Sequence, residues 1–156
     1  MRKDRSQKTI YNACESEGSF LPIEKADLGQ IKTMTDIALD DFASVKDWAR
    51  TAPKEGRQWN AIYKLHYDVL HVLAEAFLQF DKIKAATHEC VFAYLCEKHP
   101  ELELDWNFFE KVRTKRNRSI YYGEPAAYKD WKEVELQINL YINLLSKAIK
   151  EKLFQS

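Results

Sequence analysis

Residues 57–81 read RQWNAIYKLHYDVLHVLAEAFLQFD, and this stretch decides the fold. Trp59, Ile62, Tyr63, His66, Val69, Leu70, Leu73, Phe77 and Phe80 recur at spacings of three and four, the period of an α-helix. Leu65, Val72 and Leu78 widen that face. A helix apolar over so much of its circumference belongs at the centre of a bundle, with other helices around it. His66, on the apolar face, reads as a hydrogen-bonded core histidine. His71 falls toward the polar margin and reads as exposed.

The flanking segments supply those helices. Toward the N-terminus, Thr51–Gly56 holds Pro53 and Gly56 and reads as a loop. Before it, Asp27 with Gln30 three residues on resembles a capping box and opens a helix to about Trp48. Its stripe is Met34, Ala38, Val45 and Trp48, with Phe42 beside it and Asp41 inside it. Residues 7–17 suit a short helix closed by Gly18, and residues 18–26 a strap anchored by Phe20, Leu21 and Ile23. Toward the C-terminus, Thr87 caps a helix through Lys98, which Pro100 keeps from running on. Asp105 caps another, Trp106 to Tyr121, stopped by Gly123 and Pro125. Residues 126–154 form the last, with Trp131, Val134, Ile138, Tyr141, Ile142, Leu145, Ala148 and Ile149 in register. No segment alternates as a strand. The expectation is an all-α, antiparallel up-and-down bundle of four to five main helices. It forms a single domain over residues 1–156, with a short N-terminal helix and strap in 1–26 and the bundle in 27–156.

Composition agrees. Hydrophobic residues make up 46% and charged residues 31%, and four glycines with four prolines are too few for an all-β sandwich or barrel. Twenty-four basic residues balance 24 acidic ones, so any nucleic-acid contact must use a local patch. Cys14, Cys90 and Cys96 lack metal-ligand spacing with any histidine pair. They read as reduced, mostly buried thiols, and no metal or cofactor is implied. No run is long and apolar enough for a membrane span, and the polar start holds no signal-peptide core. A cytoplasmic protein without membrane contact is expected.

The helix from Trp106 carries the most informative residues. At 100° per residue, Phe109, Val112, Arg116 and Ile120 share one stripe, while Lys111, Lys115 and Arg118 lie opposite. A guanidinium in a core-type position is costly unless it is paired or lines a wet groove. Arg113 and Asn117 sit at the adjacent margin, and Tyr121 follows one turn on. Arg113, Arg116, Asn117 and Tyr121 thus form a ledge of donors ending in an aromatic ring. That set suits a phosphate together with a base or ribose. A purely structural arginine is the competing reading, and Asp41 is its candidate acid.

The stretch Arg116-Asn117-Arg118-Ser119-Ile120-Tyr121-Tyr122-Gly123 resembles the signature of HEPN domains (higher eukaryotes and prokaryotes nucleotide-binding). In that family an Arg, usually followed by Asn, precedes a His by four to six residues late in a bundle helix. Glu17-Gly18-Ser19-Phe20-Leu21-Pro22-Ile23 is similar to the strap of small stand-alone prokaryotic members, and Ala38-Leu39-Asp40-Asp41-Phe42 to the family's Ala-x-x-Asp-Leu element. Tyr67 through Phe80, followed by Lys84 to His88, resembles the central helix and its turn. The resemblance implies a homodimer that joins two such motifs in one groove. It also implies a nucleotide or RNA ligand and, in many members, a nucleotidyltransferase-like partner in a toxin–antitoxin system. Many members are metal-independent endoribonucleases; others bind without cutting.

This chain departs from the signature where it matters for catalysis. Tyr121 stands where the family's His is expected, and no histidine follows His99. Imidazole moves protons near neutral pH, whereas an ordinary phenol titrates near 10. A non-catalytic binding module is therefore expected, holding its ligand through Arg113, Arg116, Asn117, Tyr121 and Tyr122, with Asp41 and His88 in support. The alternatives are an endoribonuclease using Arg116 with Tyr121 or a displaced histidine, and a purely structural dimerisation protein. Some family toxins carry a Tyr, modified by the partner, where this chain has Gly123.

Overall fold

The protein is described by a computed structural model covering residues 4–156. Its helices are α1 (Gln7–Ser16), α2 (Leu28–Thr51), α3 (Trp59–Gln79), α4 (His88–Lys98), α5 (Trp106–Tyr121) and α6 (Tyr128–Gln155). Two three-residue strands, β1 (Phe20–Pro22) and β2 (Ile83–Ala85), interrupt the series, and a 3₁₀ turn spans Pro100–Leu102. The fold is all-α, a helical bundle built around α3. No helix among the described residues is long and apolar enough to cross a membrane.

The central helix behaves as its composition dictates. Ile62, Leu70, Leu73, Ala74 and Ala76 are wholly buried, and Tyr67 joins them. α2 and α6 pack along α3, while α4 and α5 cover its other side and α1 lies on α4. Starts follow local chemistry: the side chains of Asp27, Thr87 and Asp105 accept from the backbone N–H of Gln30, Cys90 and Asn107. Each satisfies a donor that has no partner within its own helix. Gly18 takes φ +70° to close α1 and Gly123 takes φ +65° beyond α5, a conformation other residues adopt at a cost.

Several details differ from the sequence expectation. The strap is partly a strand: β1 pairs antiparallel with β2, Phe20 opposite Ala85 and Pro22 opposite Ile83. On α2 the buried positions are Ile31, Thr35, Ala38, Phe42 and Val45, which leaves Asp41 exposed and Trp48 39% exposed. Leu65 is also 39% exposed, whereas His71 is buried. The thiols are not all reduced. Cys14 of α1 and Cys90 of α4 form a disulfide across 5.8 Å between Cα atoms. Cys96 alone is free, and burial pushes its thiol up to about 12.

Candidate functional site

The buried residues of α5 are Trp106, Phe108, Phe109 and Val112, all in its first half. From Arg113 onward every α5 residue is half-buried or exposed. The helix runs past the edge of the core, so a stripe position there faces a cleft instead of the interior. This explains why Arg116 is half-buried and Ile120 is 42% exposed despite sharing a stripe with Phe109 and Val112.

The cleft has a volume of about 460 Å³ and is lined by Arg5, Thr87, His88, Glu89, Arg113, Arg116, Asn117 and Tyr121. Two neighbouring elements complete what α5 begins. The first turn of α4 brings His88 and Glu89, and the approach to α1 brings Arg5. Below them lies Tyr67 of α3, whose ring is 5.4 Å from the Arg116 guanidinium carbon. An arginine over an aromatic face keeps favourable company after leaving water.

The three arginines differ in what holds them. Arg113 donates to Glu110 at 2.8 Å and lies 3.5 Å from Glu89. Arg5 pairs with Glu89 and, at 2.9 Å, with Glu110. Two carboxylates therefore clamp two guanidinium groups. Arg116 forms no ion pair among the described residues. Its Nη1 donates to Asn117 Oδ1 at 3.3 Å, and its Nε is hidden from solvent with no partner. Asp41 is not its counter-ion; it is exposed on α2, turned away from the buried stripe on which it was expected.

His88 stands at the cleft wall. Its Nδ1 lies 2.9 Å from Tyr67 Oη, and its ring stacks on His71 with centroids 3.5 Å apart. Burial lowers its pKa, and the charges of Arg116 and Arg113 lower it further. His71 is pushed down to about 3, first by burial and then by His88 and Arg116. Both rings are neutral near pH 7. Burial likewise raises Tyr67, which keeps its hydroxyl proton. With Tyr67 donating to Nδ1, His88 carries its proton on Nε2 and is a donor. With the roles reversed, Nε2 is a base.

The structure thus brings Arg113, Arg116, Asn117, Tyr121 and His88 to one cleft. Tyr121 sits at its mouth, 70% exposed. Tyr122 is 75% exposed and does not line the cleft. The sequence reading missed Tyr67, His71, Glu89, Glu110 and Arg5. Tyr67 and His71, four apart on α3, and Glu110 and Arg113, three apart on α5, are pairs that helical spacing alone makes neighbours. Arg5 carried no such signal, because its partners are 84 and 105 residues away. No family model, curated protein or solved structure matches the chain.

Proposed function

We propose that this chain is a HEPN-type binding module that holds RNA, or a nucleotide, by its phosphate in the Arg116 cleft. The observation that carries the reading is the unpaired guanidinium of Arg116, half-buried beside two arginines that carboxylates already neutralise. Its planar fork suits phosphate oxygens, and Tyr121 offers a ring for a base at the mouth. Two glutamates pair with Arg5 and Arg113, while Asp68 acts on Arg116 only through space, so the Arg116 fork has no carboxylate in contact. The resemblance adds a homodimer that joins two clefts and a nucleotidyltransferase-like partner in a toxin–antitoxin-like pair.

Fluorescence anisotropy with a labelled single-stranded RNA tests this. Arg116→Ala should weaken binding about tenfold or more, since a charge-assisted contact is worth roughly 1.5–3 kcal/mol. Equal binding by the variant, or no binding by the parent protein, would end the proposal.

One observation favours a second reading. His88 provides, from α4, the imidazole that α5 lacks after Arg116. In a metal-independent endoribonuclease His88 would take the 2′-OH proton as the 2′-oxygen attacks phosphorus, the departing 5′-oxygen would take a proton from water, and Arg116 would steady the phosphate. That reading requires RNA cleavage in the presence of chelator, abolished by both His88→Ala and Arg116→Ala.

A further inference from the structure

A second cleft lies on the opposite flank of α3 and owes nothing to Arg116. α2 and α6 pack mainly on α3 and only sparingly on one another, leaving a trough between them. Ala43, Ala49 and Ala52 keep one wall low, and the space amounts to about 810 Å³. That lies within the usual range for small-molecule sites.

Two polar atoms without partners mark the trough. His66 of α3 is wholly buried. Its Nδ1 donates to the Ile62 carbonyl at 2.8 Å, so the neutral ring presents a lone pair at Nε2, and no group meets it. Burial lowers the His66 pKa to about 4, which keeps the ring neutral. Asn139 of α6 donates its Nδ2 to the Glu135 carbonyl at 2.7 Å, which leaves its shielded Oδ1 unmet as well. Both free atoms are acceptors. Leaving such groups unpaired away from water costs about 1–3 kcal/mol each.

The rest of the trough is aromatic and basic. Trp131 packs on the His66 ring with centroids 4.0 Å apart, and Trp59 meets Tyr128 at 4.9 Å. Lys54 and Lys132 reach over Tyr128, at 5.6 and 5.9 Å from its centroid. Arg50 is paired with Asp47 and Lys132 with Glu135. Lys46 and Lys54 have no carboxylate in reach among the described residues, so two positive charges at the rim stay uncompensated.

From these features we infer that the trough binds a planar aromatic amine carrying an anionic tail. The amine donates to His66 Nε2 and Asn139 Oδ1, the ring lies against Trp131, and the tail runs along the trough toward Tyr128 and the rim lysines Lys46 and Lys54. A ring bearing only acceptors would face lone pairs with lone pairs. Two free lysines suit a doubly charged tail such as a phosphomonoester.

NMR titration of the ¹⁵N-labelled full chain tests the inference with a matched pair, AMP and purine riboside 5′-monophosphate, which lacks the amine and offers only acceptors on its ring. A third probe, 4-aminobenzoate, keeps the amine and an anion without ribose or phosphate. AMP should shift the His66 Nε2 and Trp131 indole resonances saturably, and purine riboside 5′-monophosphate should bind at least about tenfold more weakly. Asn139→Leu should cost AMP about tenfold. The surface pair Lys46→Gln with Lys54→Gln should weaken AMP but not adenosine, a check that does not touch the buried floor. Arg116→Ala should leave these shifts intact, which separates this site from the phosphate cleft. Saturable binding of 4-aminobenzoate alone at the same two residues would support the chemistry and dismiss the nucleotide as its source. Equal affinity for AMP and purine riboside 5′-monophosphate overturns the inference. So does the absence of saturable shifts with both amines, or shifts confined to the Arg116 cleft.

Discussion

Acidification should destabilise this protein, and the buried His66 and His71 set most of the amount. His66 and His71 titrate near 4 and 3 in the folded chain because burial disfavours their charged forms. Glu135 and Lys46 act on His66 in opposite directions, and His88 and Arg116 lower His71 further. In the unfolded chain both titrate near 6.5. The folded values lie below the unfolded ones, so between them the unfolded state binds more protons and stability falls as pH falls. Full stability is present above about pH 7, and the loss runs from there toward the folded values. At pH 5 each histidine contributes a loss of about 2 kcal/mol, roughly 4 kcal/mol together, relative to pH 7.5. That is a large share of a domain's usual stability of about 5–15 kcal/mol. Asp68 and Glu75, whose carboxyl pKa values are raised by burial, act in the opposite sense and trim the loss. Urea titrations followed by far-ultraviolet circular dichroism at pH 7.5 and 5.0 measure it directly. His66→Phe, which keeps a ring against Phe42 and Trp131, and His71→Phe should each remove about half of the difference. Equal stability of the parent protein at the two pH values refutes the reasoning. An undiminished difference in the double variant refutes it too.

Two further outcomes follow from packing and cross-linking. The Cys14–Cys90 bond closes a loop of 76 residues between α1 and α4, so Cys14→Ser with Cys90→Ser should cost roughly 2–4 kcal/mol. Thermal melts with and without reductant read it, and identical curves would show that the bond contributes nothing. Leu70→Ala, at a wholly buried position of α3, should cost about 2–5 kcal/mol, while Leu136→Ala, 86% exposed on α6, should stay within about 0.5 kcal/mol. Similar denaturation midpoints for the two variants would contradict the placement of both helices.

The fold was legible because its signals are local. α3 carries apolar residues round most of its circumference, and Asp27, Thr87 and Asp105 announce three helix starts by side-chain chemistry that acts over two or three residues. The β1–β2 ribbon was not legible. Three residues are too few to show alternation, and their pairing joins positions about sixty residues apart. Counting Met34 and Trp48 as anchors sets the α2 stripe too far round the helix. The buried spacing runs Ile31, Thr35, Ala38, Phe42 and Val45, and Asp41 then points to solvent. Its neighbours on α3 alone make His71 look exposed, but residues from another helix, His88 and Phe92 of α4, cover it.

Position on a helix and role in a fold are separable, and Arg116 shows why. A charge on a core stripe calls for an acid, and Asp41 is the candidate on the α2 stripe. The structure removes the need by ending the core before the helix ends, so the same stripe opens onto a cleft. What remains there is a guanidinium whose Nε is hidden without a partner, set above Tyr67 and tethered only to Asn117. A group held in that way adds little to the stability of the unliganded protein, since its desolvation goes largely uncompensated. Glu89 and Glu110 could have compensated it, yet they are engaged by Arg5 and Arg113. Those two pairs keep three like charges from repelling one another in a narrow space and leave one charge to act outward. Asp68 acts on Arg116 only through space, so the planar fork keeps hydrogen-bonding directions free, and a phosphate is the anion that the proposed function would set there.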